Sequence, residues 1–156
     1  MTAEMTTDHP QYFEDYPVGR VFTGGRYPVS EAEILEFARR YDPQAMHIDK
    51  EAAAAGQFGG LIASGWHTGA MMMRMLTEVF VPPANLASPG LDELRWILPV
   101  RPGDVLSLRI TVTDARRSRS KPDQGVVRGL VEVLNQKGET VMSLSPVSLM
   151  HCRPTP

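Results

Sequence analysis

A chain of 156 residues with 42% hydrophobic and 22% charged residues carries enough apolar material for one core, and no polar linker divides it. The balance of 16 basic and 18 acidic residues, net charge -2, excludes a field of one sign suited to nucleic acid or an anionic membrane surface. A single cysteine, Cys152, excludes an internal disulfide framework, and four histidines, His9, His47, His67 and His151, show no ligand pairing for a metal.

Residues 1–12 are polar and aperiodic and read as a mobile arm, with one domain expected over 13–156. The segment GRVFTGGRYPVS alternates weakly around Val21, Phe22 and Tyr27, which suits a short strand bent or bulged at Gly24-Gly25. SEAEILEFARRY predicts a helix: Ser30 with Glu33 forms a capping box, and Ile34, Phe37, Ala38 and Tyr41 share one face. Pro43 disfavours helical geometry at Asp42 and ends it there. A loop to His47 follows, then a short helix opened by Asp49 and stopped by Gly56. From Gly65 to Val81 comes the most apolar helix, its methionines and Leu76 spread around most of the circumference, which predicts burial on all sides. Pro82-Pro83 stops it.

The second half predicts strands: LDELRWILPV, VLSLRITVT, VVRGLVEVL and TVMSLSPVSLM, with turns at RPGD and around Asn135 to Gly138. Pro146 suggests an edge strand or a bulge in the last of them. If His151 and Cys152 both lie on a strand, they point to opposite faces and do not act together. Arg116, Arg117, Arg119 and Lys121 form the one dense basic cluster, read as a solvated hairpin tip. The whole predicts an α+β domain, an antiparallel sheet beside a buried helix. The apolar helix is interrupted by Arg74, and the chain does not open with a basic stretch followed by an apolar one, so no membrane span or export signal is read and a cytoplasmic protein is expected.

The chemistry concentrates in YDPQAMHIDKEAAAAGQFGGLIASGWHTG, residues 41–69. Asp42 and His47 are close enough in the chain to face one point, where a carboxylate and an imidazole can hold a water and divide proton acceptance from donation. Gly65 opens the apolar helix, where free N–H groups and the dipole can hold a developing oxyanion; helix packing explains a glycine there equally well. Ser64 suits an N-cap and is also a candidate substrate contact. His67, in the first turn, is either a packed histidine or a second candidate beside the oxyanion position.

These segments resemble the MaoC-like dehydratases, the group that includes the (R)-specific enoyl-CoA hydratases. The likeness covers nearly the whole chain after the arm. DPQAMH, from Asp42 to His47, is similar to the family's D-x-N-P-x-H; FGGLIASG, from Phe58 to Gly65, is similar to F-x-x-P-I-x-H-G; and WILPVRPGDVL resembles the strand-turn-strand after the central helix. Gln44 stands in place of Asn, Ala45 and Leu61 in place of Pro, and Ser64 in place of His. The resemblance implies a hotdog fold, a sheet wrapped around one long central helix, with Asp42 and His47 as catalytic dyad and Gly65 in the oxyanion hole. It further implies reversible hydration of a trans-2-enoyl-CoA to an (R)-3-hydroxyacyl-CoA with no cofactor besides the coenzyme A thioester substrate. A homodimer or higher homo-oligomer is expected, with Arg101 or the Arg116 to Lys121 cluster near the coenzyme A phosphates and neither nucleic acid nor membrane as partner. The same scaffold also carries acyl-CoA thioesterases, which use a carboxylate on or near the central helix, absent here between Ser64 and Thr77, and non-catalytic acyl-CoA binders, for which the intact Asp42/His47 pair is the difficulty.

Overall fold

The computed structural model describes residues 9–156; of the expected arm, residues 1–8 lie outside the described residues. After a single 3₁₀ turn, Phe13–Asp15, the chain forms β1 (Val21–Pro28), α1 (Glu31–Tyr41), α2 (Ala45–Ile48), α3 (Lys50–Ala55), α4 (Gly65–Val79), β2 (Asn85–Trp96), β3 (Val105–Arg117), β4 (Gln124–Leu134) and β5 (Thr140–His151). The strands make one antiparallel sheet in the order β1-β3-β4-β5-β2. This is the α+β architecture that the sequence predicts. Among the described residues no helix is long and apolar enough to cross a membrane.

Alternation along β3 builds the floor of the core. Leu106, Leu108, Ile110 and Val112 all point inward, and Val131 and Val133 of β4 stand opposite Ile110 and Leu108 on the same face. Onto this face α4 lays Met71, Met72, Met75 and Leu76, all buried. β1 bends across the helix: its register slips between Gly24 and Tyr27, and a Cβ on Gly25 would come within 2.8 Å of the Met75 sulfur, so the expected bulge is where a side chain has no room.

Three expectations change. α4 is not buried all round: Trp66, Ala70, Met73 and Thr77, spaced as one helical stripe, are exposed, because the sheet covers only part of its circumference. The strand expected at residues 91–100 is β2, which starts at Asn85 and ends at Trp96; Ile97 and Leu98 leave it, both exposed, with their N–H groups bonded to the Val141 carbonyl at 2.8 and 3.2 Å. Pro146 does not mark an edge. β5 lies between β4 and β2, with Pro146 opposite Leu91, and the register shifts fall on the β2 side, between Ala87 and Gly90 and between Asp92 and Arg95. A missing N–H is tolerated inside the sheet because its neighbour bulges around it.

Candidate active site at the head of the central helix

Asp42 is the C-cap of α1. Its N–H still bonds to the Ala38 carbonyl at 2.8 Å, but its φ of -151° and ψ of 68° have left the helix, as the following proline requires. The expected loop to His47 is in fact the one-turn helix α2, which starts after Gln44 and turns His47 inward to 4% exposure. Segment 61–63 then passes between α2 and Val100: the Ile62 N–H bonds to the Met46 carbonyl at 3.2 Å and the Ala63 N–H to the Val100 carbonyl at 2.8 Å. Ser64 follows, fully buried, and starts α4.

These elements bring four polar side chains together. His47 Nε2 lies 3.4 Å from Asp42 Oδ2. His47 Nδ1 lies 2.8 Å from the Ile62 carbonyl oxygen; a carbonyl only accepts, so Nδ1 carries hydrogen and Nε2 is the ring nitrogen turned toward Asp42. Ser64 donates its hydroxyl to Asp42 Oδ2 at 2.7 Å while accepting the Trp66 N–H at 3.3 Å, so it is both cap and partner of the carboxylate. Gln44 donates its amide to Asp42 Oδ1 at 2.7 Å. The Ser64 bond, then the Gln44 bond, then the neighbouring His47 hold the Asp42 carboxyl below the usual carboxylate range against the opposing effect of burial.

Asp42, Gln44 and His47 line one end of a cleft of about 440 Å³ whose walls include Met46, Phe58, Gly65, Trp66, Thr68 and Trp96. Polar groups converging at one end of an apolar cleft are the ordinary anatomy of a small-molecule site. Gly65 is at its wall, and no hydrogen bond to the Gly65 N–H is found among the described residues. A packing reason for the glycine is visible too: a Cβ there would overlap the Trp96 ring, 2.6 Å from Nε1 and 2.8 Å from Cδ2.

The fold does not bring His67 to this cleft. It faces α1, stacked on Phe37 with centroids 4.7 Å apart, its Nε2 3.6 Å from Glu33 and its buried Nδ1 without a partner among the described residues. Burial pushes its basicity down, and Glu33 opposes that. Glu33 also accepts the Tyr27 hydroxyl, and that bond, with burial, pushes Tyr27 up to about 12. Arg101 donates to the Phe58 carbonyl at 2.6 Å and so braces the loop behind the cleft rather than lining it. The Arg116 to Lys121 segment is exposed; Arg117 bonds to Glu14 and lines a separate cavity with Pro83 and Ala84, beyond the far end of α4. His151 is exposed and ends β5, and the buried Cys152 lies just past the strand, so strand alternation does not govern the pair; both border the cavity with Pro83 and Ala84. No group of three or more His, Cys, Asp or Glu residues among those described is placed to hold a metal.

Gln44 and Trp96 are the site residues that the sequence reading passed over. Gln44 had a signal, since it stands where the family motif has an amide. Trp96 had none, because its place at the cleft is set by β2 crossing beside α4.

A sequence profile described as the MaoC like domain matches residues 15–134. The chain belongs to the MaoC-like dehydratase family. It is similar to a MaoC-like dehydratase structure from Rhodospirillum rubrum, with a TM-score of 0.87 and 40% identity, covering 94% of this chain and 100% of that one. An (R)-hydratase structure from Pseudomonas aeruginosa superposes with a TM-score of 0.72 at 25% identity, covering 92% of this chain and 86% of that one. The uncharacterized protein YdeM of Bacillus subtilis is 34% identical over 125 residues, 80% of this chain and 87% of its own length. The five-stranded sheet around α4 is thus the hotdog fold of the MaoC-like hydratases and dehydratases.

Proposed function

We propose that this MaoC-like protein reversibly hydrates a trans-2-enoyl-CoA to an (R)-3-hydroxyacyl-CoA, with Asp42 and His47 as the catalytic pair. The carrying observation is their geometry: Asp42 Oδ2 and His47 Nε2 lie 3.4 Å apart, and both residues line the same cleft. A water beside them donates one hydrogen to Asp42 Oδ2 and accepts the Nε2–H of a protonated His47, which leaves its second lone pair free to attack C3. In the turnover form His47 is imidazolium. Water oxygen bonds to C3, its proton passes to the Asp42 carboxylate, and Nε2 gives its proton to C2 as the double bond closes. Proton return from Asp42 to Nε2 resets the pair, while the Nδ1 hydrogen stays on the Ile62 carbonyl. The Gly65 N–H, at the positive end of α4, accommodates the enolate oxygen of the thioester, an interaction of about 3 to 4 kcal/mol in other oxyanion holes. The reaction as written needs no cofactor.

The (R)-hydratase from Pseudomonas aeruginosa supports the reaction class. Hydrolysis is disfavoured because the central helix carries no carboxylate from Ser64 to Thr77, where thioesterases of this scaffold hold the one that activates water. Hydration of crotonyl-CoA by wild type, Asp42→Asn and His47→Ala tests the reading. Each variant is expected to lose about 100-fold to 10,000-fold in kcat while keeping its circular dichroism. Release of free coenzyme A by wild type would identify a thioesterase instead, and binding without any turnover a carrier.

The working form is proposed to be a homodimer. Trp66, Ala70 and Met73 of the exposed α4 stripe line one apolar groove with Leu91 of edge strand β2, and an unpaired edge strand invites a second copy. Arg116 to Lys121 is remote from the cleft within one chain, so a role in holding coenzyme A phosphates would require the partner's cluster.

A further inference from the structure

Gly65 and Trp96 are in contact so close that neither position tolerates extra atoms on the side facing the other. The indole is held from outside by Trp66, edge to face, with ring centroids 5.2 Å apart and planes at 79°. Its base is fixed as well: Trp96 pairs with Met142 of β5, and the next residue, Ile97, bonds through its N–H to the Val141 carbonyl at 2.8 Å. A ring with two rotatable bonds, pinned at the backbone and braced on one flank, cannot fold aside as a leucine or methionine would. It nevertheless remains 46% exposed, so it is a wall of the cleft and not part of the core.

We propose that Trp96 is a specificity-determining residue that fixes the width of the cleft beside Gly65 and so selects acyl groups with no branch at C2. The inference rests on the reading of Gly65 as donor to the thioester oxygen. With that oxygen on the helix head, C2 is the carbon bonded to the held carbonyl carbon, and a substituent on it is the first to meet a ring standing against Gly65. Discrimination by one carbon in such a pocket is on the order of tenfold to a hundredfold.

Butanoyl-CoA and 2-methylbutanoyl-CoA differ by that one branch and have no double bond to hydrate, so both are bound unchanged. Their Kd values are measured by calorimetry for wild type, Trp96→Phe and Trp96→Ala, with Trp96→Leu in reserve if the alanine variant loses cooperative unfolding. Wild type is expected to favour the linear ligand by about tenfold or more. Trp96→Ala or Trp96→Leu should cut that ratio to within about threefold, chiefly by gaining the branched ligand, and Trp96→Phe should keep most of it. A wild type without preference, or a ratio that truncation leaves unchanged, overturns the proposal. Crotonyl-CoA turnover, assayed in parallel, separates the two claims: binding without hydration removes the hydratase reading while the Kd ratio still decides Trp96, hydration with a ratio indifferent to Trp96 removes only the wall, and neither binding nor hydration overturns both.

Discussion

At the residue scale, the acidity of Asp42 depends most on Ser64, the first of the groups that hold its carboxyl down. A carboxyl below its ordinary value stays ionised, and able to accept a proton from water, until pH falls through that lowered value. Ser64→Ala removes the largest of those supports, so the acidic limb of the kcat/KM profile is expected to move to higher pH. A loss of about tenfold at neutral pH should accompany it, the size of one hydrogen bond to a charged group. An unmoved limb in a variant that still turns over would show that Asp42 is not the titrating base. His67 gives a second pH dependence, on stability. Its folded basicity is lowered by burial, so below about pH 6.5 the unfolded chain binds more protons than the folded one, and stability falls as pH drops through that window. Glu33 on α1 opposes the effect without cancelling it. His67→Phe should flatten the decline, read from denaturant midpoints above and below about pH 6.5.

At the element scale, short helices place the site, and their ends decide whether they form. α3 is six residues long, too short to persist on propensity, and Asp49 accepts the N–H groups of Glu51 and Ala52 at 3.1 and 3.0 Å. Asp49→Ala is expected to cost about 1 kcal/mol in chemical denaturation. The head of α4 gives a sharper case. Gly65→Ala drives a methyl into the Trp96 ring, an overpacking worth about 1 to 3 kcal/mol, and Trp96→Ala in the same chain should recover most of that loss. Additive costs in the double-mutant cycle would mean that the two residues do not share this space.

At the scale of the whole molecule, the apolar face made by α4 and β2 encloses a groove of about 390 Å³ that includes Met73, Leu76, Leu91 and Met142. If two copies close over it, wild type sediments as a dimer, and Met73→Glu or Leu91→Lys shifts it toward monomer by placing a charge in a dry interface. A monomer at micromolar concentration in wild type would remove the dimer from the proposal.

Local rules carried far in this chain. Ser30, Pro43, Asp49, Gly56 and Pro82 punctuate the helices where short-range sterics and capping dictate, and the alternation of Leu106, Leu108, Ile110 and Val112 makes β3 recognisable from the residues alone. Asp42 and His47 were legible for a related reason: they are five apart beside a proline, and one turn of α2 suffices to face them together. The remainder depends on residues distant in the chain. Ser64 reaches Asp42 across 22 positions because segment 61–63 is threaded between α2 and Val100. His67 lies one and two turns before the buried Met71 and Met75, and it meets Glu33 and Phe37 because α1 packs over the head of α4 on that side. Pro146 lies inside the sheet because strand order, which no local pattern encodes, put β2 beyond it. The residues alone determined which segments are helix or strand and which pair could handle a proton; tertiary packing decided which side chains flank that pair and how wide a cleft Trp96 leaves beside it, since those are contacts between surfaces that meet only when the sheet closes around α4.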